Sequence, residues 1–571
     1  MSLGDWVPIP TPYDVLKFLA MLTGTLIVCN YLALLAWRAA LRDTNVQKRI
    51  RIVQKLGIRE PRQYMFVGFL HPNSNAGGGG ERVLYDAIRT HQQNPDVICV
   101  VYTGDIDPLE DGLTKELVIA KAKERFGIVL RPEALAFLPI KNRYLLDGKY
   151  WSHFTLLGQA FGANRVAYEA LSQLVPDVFI DTMGYAFTLP AIKNYSTKIR
   201  VGTYIHYPIV STDMLHRVRS RQAGITNSAW IAASLPFSIL KLVYYRIFAV
   251  FYGSALRSAD AIAVNGTWTH NHIESLIQTR MPRPWKVELP PVNIVYPPCD
   301  TNRFAKLTLG KRPARSIVSL AQFRPEKDHT MQLRIVHKLL SQYPELKSSK
   351  GGNRPLKLVL IGGVRNADDE KRVLELKKLA KELTIESNVE FCVDAPLETI
   401  LDKFSKASIG ISTMVDEHFG INVVEYMAAG LLTLSHASAG PLLDIAVNVD
   451  GEPTGFHAKT LLEYVDQLHK LVTMPEAEAV QIRSRARTHV QNTFSDQSFQ
   501  EAWRVKLWDL LVPPSLLKIN QELLEEKKAQ VVAATQQAEQ KAAVRAKTAD
   551  ENASASDAKA VESLVTDSAT E

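Results

Sequence analysis

The chain has 571 residues, 46% of them hydrophobic and 22% charged, and a formal net charge of +8. That length exceeds one typical hydrophobic core, and the composition excludes both a disordered chain and a wholly membrane-embedded one. The charge is uneven. Glu522 to Glu571 carries ten acidic against six basic residues, which leaves about +12 on the rest. A body of that sign suits anionic lipid headgroups or phosphorylated substrates, and equally a solvated surface.

Residues 1–17 form a short amino-terminal segment ahead of Phe18 to Trp37, twenty residues without a charge. As a helix that run crosses the roughly 30 Å of a bilayer core. Asp5 and Asp14 ahead of it, and the poor cleavage sequence Leu34-Leu35-Ala36-Trp37-Arg38, argue for an uncleaved anchor rather than a signal peptide. The linker that follows, 38–61, begins a basic stretch. Eight Lys and Arg lie within residues 38–62, against Lys17 alone before the span. The bias predicts a lumenal amino terminus and a cytosolic body. The glycosylation sequons at Asn194, Asn265 and Asn552 should then stay unmodified. The four cysteines (Cys29, Cys99, Cys299, Cys392) have no CxxC pair, as reduced thiols in a cytosolic body would.

From residue 64 short apolar runs alternate with helical patterns. Tyr64–Leu70, Val97–Tyr102, Ala136–Ile140, Val178–Thr182, Arg200–His206 and Ala261–Val264 read as strands of a first domain, 62–290. Trp230 to Tyr252 is apolar but holds Lys241 and Arg246 and is broken by Pro236. It reads either as a segment lying on a membrane surface or as a buried helix. The rhythm restarts in a second domain, 291–495, with strands at Ser316–Gln322, Leu356–Ile361, Val389–Val393, Ile409–Thr413 and Leu432–Ser435. Helical patterns span Lys327–Gln342 and Asp368–Leu383. Two such series imply two Rossmann-like, doubly wound parallel sheets facing a central cleft, with ligands beyond the carboxyl ends of the strands. Residues 496–528 read as helices returning to the first domain, and 529–571 as a tail without aromatics that is disordered or marginally helical.

The chemistry gathers at strand ends. Gly77 to Gly80 and the helical Glu81–Ile88 make a strand–loop–helix whose backbone, at Gly78 and Gly79, can approach a phosphate closely. His206 ends one strand of the first domain. Asp181 and Tyr185 follow another and could meet a hydroxyl. In the second domain Arg324 and Lys327 offer a fork and a point charge for a diphosphate. No acidic pair stands at a strand end to hold a metal, which favours metal independence. Gly362 again permits close backbone approach. Glu417 and Glu425 flank Phe419-Gly420-Ile421, where a helix is predicted to start and to run to about Ala429. Its first N–H groups suit a diphosphate and its carboxylates suit hydroxyls.

Glu417-His418-Phe419-Gly420-Ile421…Glu425 resembles the ExFGxxxxE motif of retaining family 4 glycosyltransferases of GT-B fold. His71-Pro72…Asn75-Ala76-Gly77-Gly78-Gly79-Gly80-Glu81-Arg82-Val83-Leu84, Asp181-Thr182-Met183-Gly184-Tyr185-Ala186-Phe187 and Tyr204-Ile205-His206-Tyr207-Pro208 narrow it further. They resemble the endoplasmic-reticulum GDP-mannose α-1,2-mannosyltransferases of asparagine-linked glycosylation, over roughly residues 62–512. The resemblance implies mannose transfer from GDP-mannose to a dolichol-diphosphate-linked oligosaccharide, as its fourth and fifth mannoses, on the cytosolic face. Glu417 would bind the mannose and Glu425 the ribose. Arg324 and Lys327 would hold the diphosphate, with Gly78 and Gly79 close to it. His206 would touch the mannose or position the acceptor hydroxyl, and Gly362, Phe419, Gly420 and Ile421 would complete the donor site. The partners implied are the donor, the lipid acceptor, the endoplasmic-reticulum membrane and other mannosyltransferases of the pathway, with no nucleic acid and no cofactor. Another membrane-associated retaining GT-B glycosyltransferase is the first competing reading, and a sugar-nucleotide epimerase and a silent subunit on the same scaffold are the others. The epimerase would need no anchor, and the silent subunit would not keep both charged pairs.

Overall fold

The computed structural model describes residues 11–59, 64–106, 113–210, 212–221, 229–279, 288–310, 312, 315–349 and 354–512. The tail expected at 529–571, residues 513–528, Asn552 and the first ten residues lie outside these. In the first domain the strands are β1 (Met65–Leu70), β2 (Val97–Thr103), β3 (Leu135–Pro139), β4 (Val178–Asp181), β5 (Arg200–Ile205), β6 (Ala261–Val264) and β7 (Val292–Ile294). They form one parallel sheet in the order β3-β2-β1-β4-β5-β6-β7. Every residue of β2 is buried, as helices on both faces require. The expected strand Ala136–Ile140 sits one residue earlier, and β7 has no counterpart in the sequence reading.

The second sheet repeats the plan. It comprises β8 (Ser316–Leu320), β9 (Lys357–Gly362), β10 (Val389–Val393), β11 (Ile409–Ile411) and β12 (Leu432–His436), joined after the small hairpin β13 (Asn448–Val449) and β14 (Glu452–Pro453) by β15 (Phe456–Ala458). The order is β10-β9-β8-β11-β12-β15. In each sheet the strand order reverses beside the first strand, between β1 and β4 and between β8 and β11. A crevice opens there at the carboxyl ends.

Helix Pro12–Lys55 contains the apolar run Phe18–Trp37. It starts on a capping box, with Thr11 and Asp14 satisfying each other's backbone N–H groups, and has Pro12 in its first turn. Phe18, Met21, Leu22, Tyr31 and Leu32 are exposed, and Cys29 with them, whereas Leu41 and Ile52 are buried. There the helix is held by Arg49, which donates to both oxygens of Asp177 at 2.9 and 3.1 Å.

The segment expected to be broken by Pro236 is broken there: a short helix, Ala229–Ala233, stops at the extended Ser234, and a second helix, Leu235–Leu256, begins beyond it. Pro236 falls in the first turn of the second helix, where no N–H is needed. Tyr245, Phe248 and Tyr252 are buried in the core of the first domain, while a second apolar face is exposed. Among the described residues this helix is long and apolar enough to cross a membrane, by length and composition. After the second sheet, the helices Glu476–Phe494 and Asp496–Trp503 carry the chain back to the first sheet. The indole N–H of Trp503 donates to His91 at 3.0 Å, and Leu511 lies against Gly202.

Candidate functional site

The glycine loop leaves β1 and divides its labour. Gly77 has φ +76, and a Cβ there would fall within 1.9 Å of the Arg125 guanidinium. Gly78 is the N-cap of helix Gly79–His91, and its N–H donates to the Glu81 carboxylate at 2.6 Å. That N–H is therefore consumed inside the capping turn. Gly79 faces the other domain, and a Cβ on it would come within 2.8 Å of the Ile421 methyl. A side chain at 79 would have to displace that methyl.

At the end of β5 the ring Nε2 of His206 lies 3.1 Å from the carbonyl of Thr182. A carbonyl only accepts, so Nε2 carries the hydrogen and Nδ1 the lone pair. Burial lowers His206 to about 4, which keeps the ring neutral at physiological pH. The side chain of Asn265, just past β6, donates to the His206 carbonyl at 2.9 Å.

Across the cleft a short turn, Pro325–Lys327, follows β8. The hydroxyl of Thr413 reaches the carbonyls of Lys327 and Asp328, both at 3.0 Å, and so fixes this turn to the strand end of β11. The Lys327 ammonium pairs with Glu417, and Arg324 lies 3.6 Å from Glu326. Glu417 stands in a loop locked backbone to backbone. Its carbonyl accepts the Gly440 N–H at 2.9 Å, and a Cβ at 440 would meet the Phe419 carbonyl at 2.2 Å. The neighbouring Asp416 N–H donates to Ser438 at 2.8 Å.

Gly420, at φ +109, turns the chain into helix Ile421–Ala428. Glu425 sits one turn inside it. Burial raises its carboxyl to about 7, against the lowering pull of Arg82. Among the described residues that carboxylate has no hydrogen-bond partner.

Three contacts clamp the domains around this space. Asp444 accepts from the N–H and hydroxyl of Thr267 and from the Tyr296 hydroxyl at 2.9 Å. His418 packs edge-on against Tyr207 at 4.3 Å and Trp268 at 4.7 Å. Arg82 and Arg89 share Asp496 at 2.7 and 3.1 Å.

The result is a cavity of about 690 Å³ between the sheets. Of the residues expected at the site, Gly79, His206, Arg324, Lys327, Gly362, Glu417, Phe419, Gly420, Ile421 and Glu425 line it. Gly78, Asp181 and Tyr185 do not. Asp181 is fully buried, accepting from the Met183 N–H at 3.0 Å and the Thr203 hydroxyl at 3.2 Å. Its carboxyl is raised to about 7 by burial, and it shapes the loop whose Thr182 holds His206. Tyr185 packs against the core of the first domain. Gly362 lines the cavity, but its need for a bare Cα is internal, since a Cβ would lie 2.0 Å from the Ala321 carbonyl. Sequence reasoning missed Asn265, His418 and Asn422 as lining residues. Asn265 follows β6 directly, so the strand-end rule could have found it.

Residues 64–277 match the family described as ALG11 mannosyltransferase N-terminus, and residues 303–489 match the glycosyl transferases group 1 family. The chain is 42% identical over 482 residues to the human GDP-Man:Man(3)GlcNAc(2)-PP-Dol alpha-1,2-mannosyltransferase, covering 84% of this chain and 92% of that one. The enzyme of the same name from Caenorhabditis elegans is 39% identical over 78% of this chain and 91% of its own. Among solved structures, the alpha,alpha-trehalose 6-phosphate synthase from Burkholderia multivorans superposes with a TM-score of 0.55 at 12% identity, covering 79% of this chain and 99% of that one. OtsA does so at 0.54 and 12% identity, over 78% and 99%. These two likenesses show the two-sheet GT-B fold.

Proposed function

Because this chain belongs to the family of the GDP-Man:Man(3)GlcNAc(2)-PP-Dol alpha-1,2-mannosyltransferases, we propose that it transfers mannose from GDP-mannose to the dolichol-diphosphate-linked trimannosyl oligosaccharide, adding the fourth and fifth mannoses in α-1,2 linkage. The observation that carries the reading is the pairing of Lys327 with Glu417 in the cleft, beside the start of helix Ile421–Ala428. The N–H groups of that helix, with Arg324 and Lys327, take the diphosphate. Glu417 accepts from mannose hydroxyls, and Glu425 from the ribose diol. His206, neutral and pinned through Nε2, presents a lone pair rather than a charge to the sugars.

The transfer retains configuration. A double displacement would need a carboxylate on the face of the sugar opposite the leaving group. The cavity's carboxylates are Glu326, Glu417 and Glu425. Glu326 is set beside Arg324, and the other two are assigned here to hydroxyls. Departure and attack on the same face follow. The diphosphate leaves into Arg324 and Lys327 and takes the acceptor proton. These two cations supply the charge stabilisation, so the reaction should run undiminished in a chelator. A trapped covalent mannosyl-enzyme would falsify same-face departure.

Helix Pro12–Lys55 is proposed as a single-pass anchor in the endoplasmic-reticulum membrane through residues 18–37, with the body cytosolic. Helix Leu235–Leu256 lies on the bilayer through its exposed face. The test is GDP release from GDP-mannose as a function of added lipid-linked trimannosyl acceptor, with linkage analysis of the product. Release that ignores the acceptor, or a product without an α-1,2 bond, would defeat the assignment.

A further inference from the structure

Helix Leu235–Leu256 exposes Leu235, Ile239, Val243, Ile247 and Phe251 at four-residue spacing, each at least 44% exposed. Beside this stripe a groove of about 720 Å³ opens toward helix Thr155–Gln173. Phe154, Trp230, Phe237, Leu240 and Tyr244 wall it, and Lys241 is the one ammonium on its lining. Each of the two helices ends a few residues before a strand begins, Gln173 before β4 and Leu256 before β6. Their last turns therefore lie at the amino edge of the sheet and their first turns toward the carboxyl edge. The groove is built on those first turns, toward the edge at which His206 lines the cleft.

Phe154 marks the groove a second time. It caps helix Thr155–Gln173 with φ 50 and ψ 43, in the left-handed region, and with no side-chain bond to the helix. A bulky aromatic is strained there and is a poor cap. Yet its ring is 68% exposed and packs edge-on at 5.8 Å from Tyr244. Strain and exposure on one aromatic persist where the ring has a use beyond folding.

We infer that this groove seats the first isoprene units of the lipid-linked acceptor, with Lys241 meeting the adjoining diphosphate. The inference rests on the transfer reading above. The complementarity is chemical. A branched hydrocarbon attached to a phosphate needs aromatic and aliphatic walls with one cation among them. A soluble sugar or nucleotide would leave these walls wet.

The experiment uses the full chain in detergent with GDP-mannose and two acceptors carrying the same oligosaccharide diphosphate, one on dolichol and one capped by a methyl group with no isoprene unit. Phe154→Gly and Leu240→Ser should each raise KM for the dolichol acceptor by roughly tenfold, the loss expected from uncovering one or two methylene groups. KM for the methyl-capped acceptor and for GDP-mannose should not move. Glycine suits the backbone at 154, so Tm should hold or rise, and a loss of function in that variant is not unfolding. Equal changes on both acceptors, or none on dolichol, overturn the inference. So does a variant that loses only attachment to vesicles while its KM values in detergent stay put, because the face would then serve only the bilayer. Failure of the unmutated protein to mannosylate either acceptor would instead remove the transfer reading, and this inference with it.

Discussion

Replacing Glu425 by Gln should make the protein more stable at pH 8 and at the same time weaken donor binding. Burial sets the Glu425 carboxyl at about 7, against an ordinary value of 4.5. Between those limits the native state holds a proton that the unfolded chain has released. Unfolding free energy therefore falls as pH rises through the window and stays reduced above it. At about 1.4 kcal/mol per pH unit the gap is worth about 3 kcal/mol. Glutamine keeps the shape and abolishes the titration. Thermal unfolding of the two proteins should coincide near pH 4.5 and diverge to about 3 kcal/mol in favour of Glu425→Gln by pH 8, a Tm difference of about a few degrees. Asp181, at about 7, and Asp86, at about 6, titrate in the same region, so only the difference between the two proteins is diagnostic. Donor binding should move the other way. Losing a charged acceptor for the ribose hydroxyls costs about 1.5–3 kcal/mol, which raises KM for GDP-mannose by roughly tenfold to a hundredfold. The rise of kcat/KM with pH around 7 should vanish in the variant. A Glu425→Gln protein that is less stable than its parent at pH 8, or that binds donor equally well, refutes the reasoning.

Lys327→Ala and Glu417→Ala should each lower kcat/KM by about 10² to 10³, with circular dichroism and membrane attachment unchanged, because each removes a charged contact from the cleft. Transfer surviving in both variants would remove the site assignment. Gly362→Ala must push a Cβ into the Ala321 carbonyl, 2.0 Å away, and should destabilise the protein by about 1–3 kcal/mol in denaturant unfolding. Native stability in that variant would show that the strands yield at no cost. Asn194, which is exposed, should carry no glycan, so glycosidase treatment should leave electrophoretic mobility unchanged. A shift would reverse the proposed orientation. Asn265 cannot report on it, being 5% exposed and bonded to the His206 carbonyl.

Much of the fold was legible because parallel strands buried on both faces leave nearly continuous apolar runs. Val97–Thr103 and Ala261–Val264 stand out from composition alone. The edge strands β7 and β15 were not, since each has three residues and only Ala458 of the six is fully buried. A run that short carries no period. The break at Pro236 was legible because a proline cannot sit inside a helix without losing a hydrogen bond but fits its first turn, and Ser234 separates the helix Ala229–Ala233 from the one that Pro236 opens. The helix start at Gly420-Ile421 was legible because Gly420 supplies a backbone angle few other residues adopt, and the structure places it at φ +109.

The site divides along a different line. Asp181 and Glu425 are both acidic, both near strand-end loops, and both raised to about 7 by burial. Residue type and nearness to a strand end do not separate them. In the fold, Asp181 is satisfied by the Met183 N–H and the Thr203 hydroxyl and does not line the cleft. Glu425 lines the cleft, and among the described residues nothing donates to it. Glu425 is only partly buried, so water can reach it from the cleft. A ligand that displaces that water must supply donors in its place, and in the proposed reading the ribose hydroxyls do so. Gly78 and Gly362 follow the same logic in reverse. The N–H of the first is already spent on Glu81, and the bare Cα of the second on Ala321. Satisfaction by the protein's own atoms, rather than residue type or position along a strand, is what distinguishes the groups that hold the fold from those left for the donor.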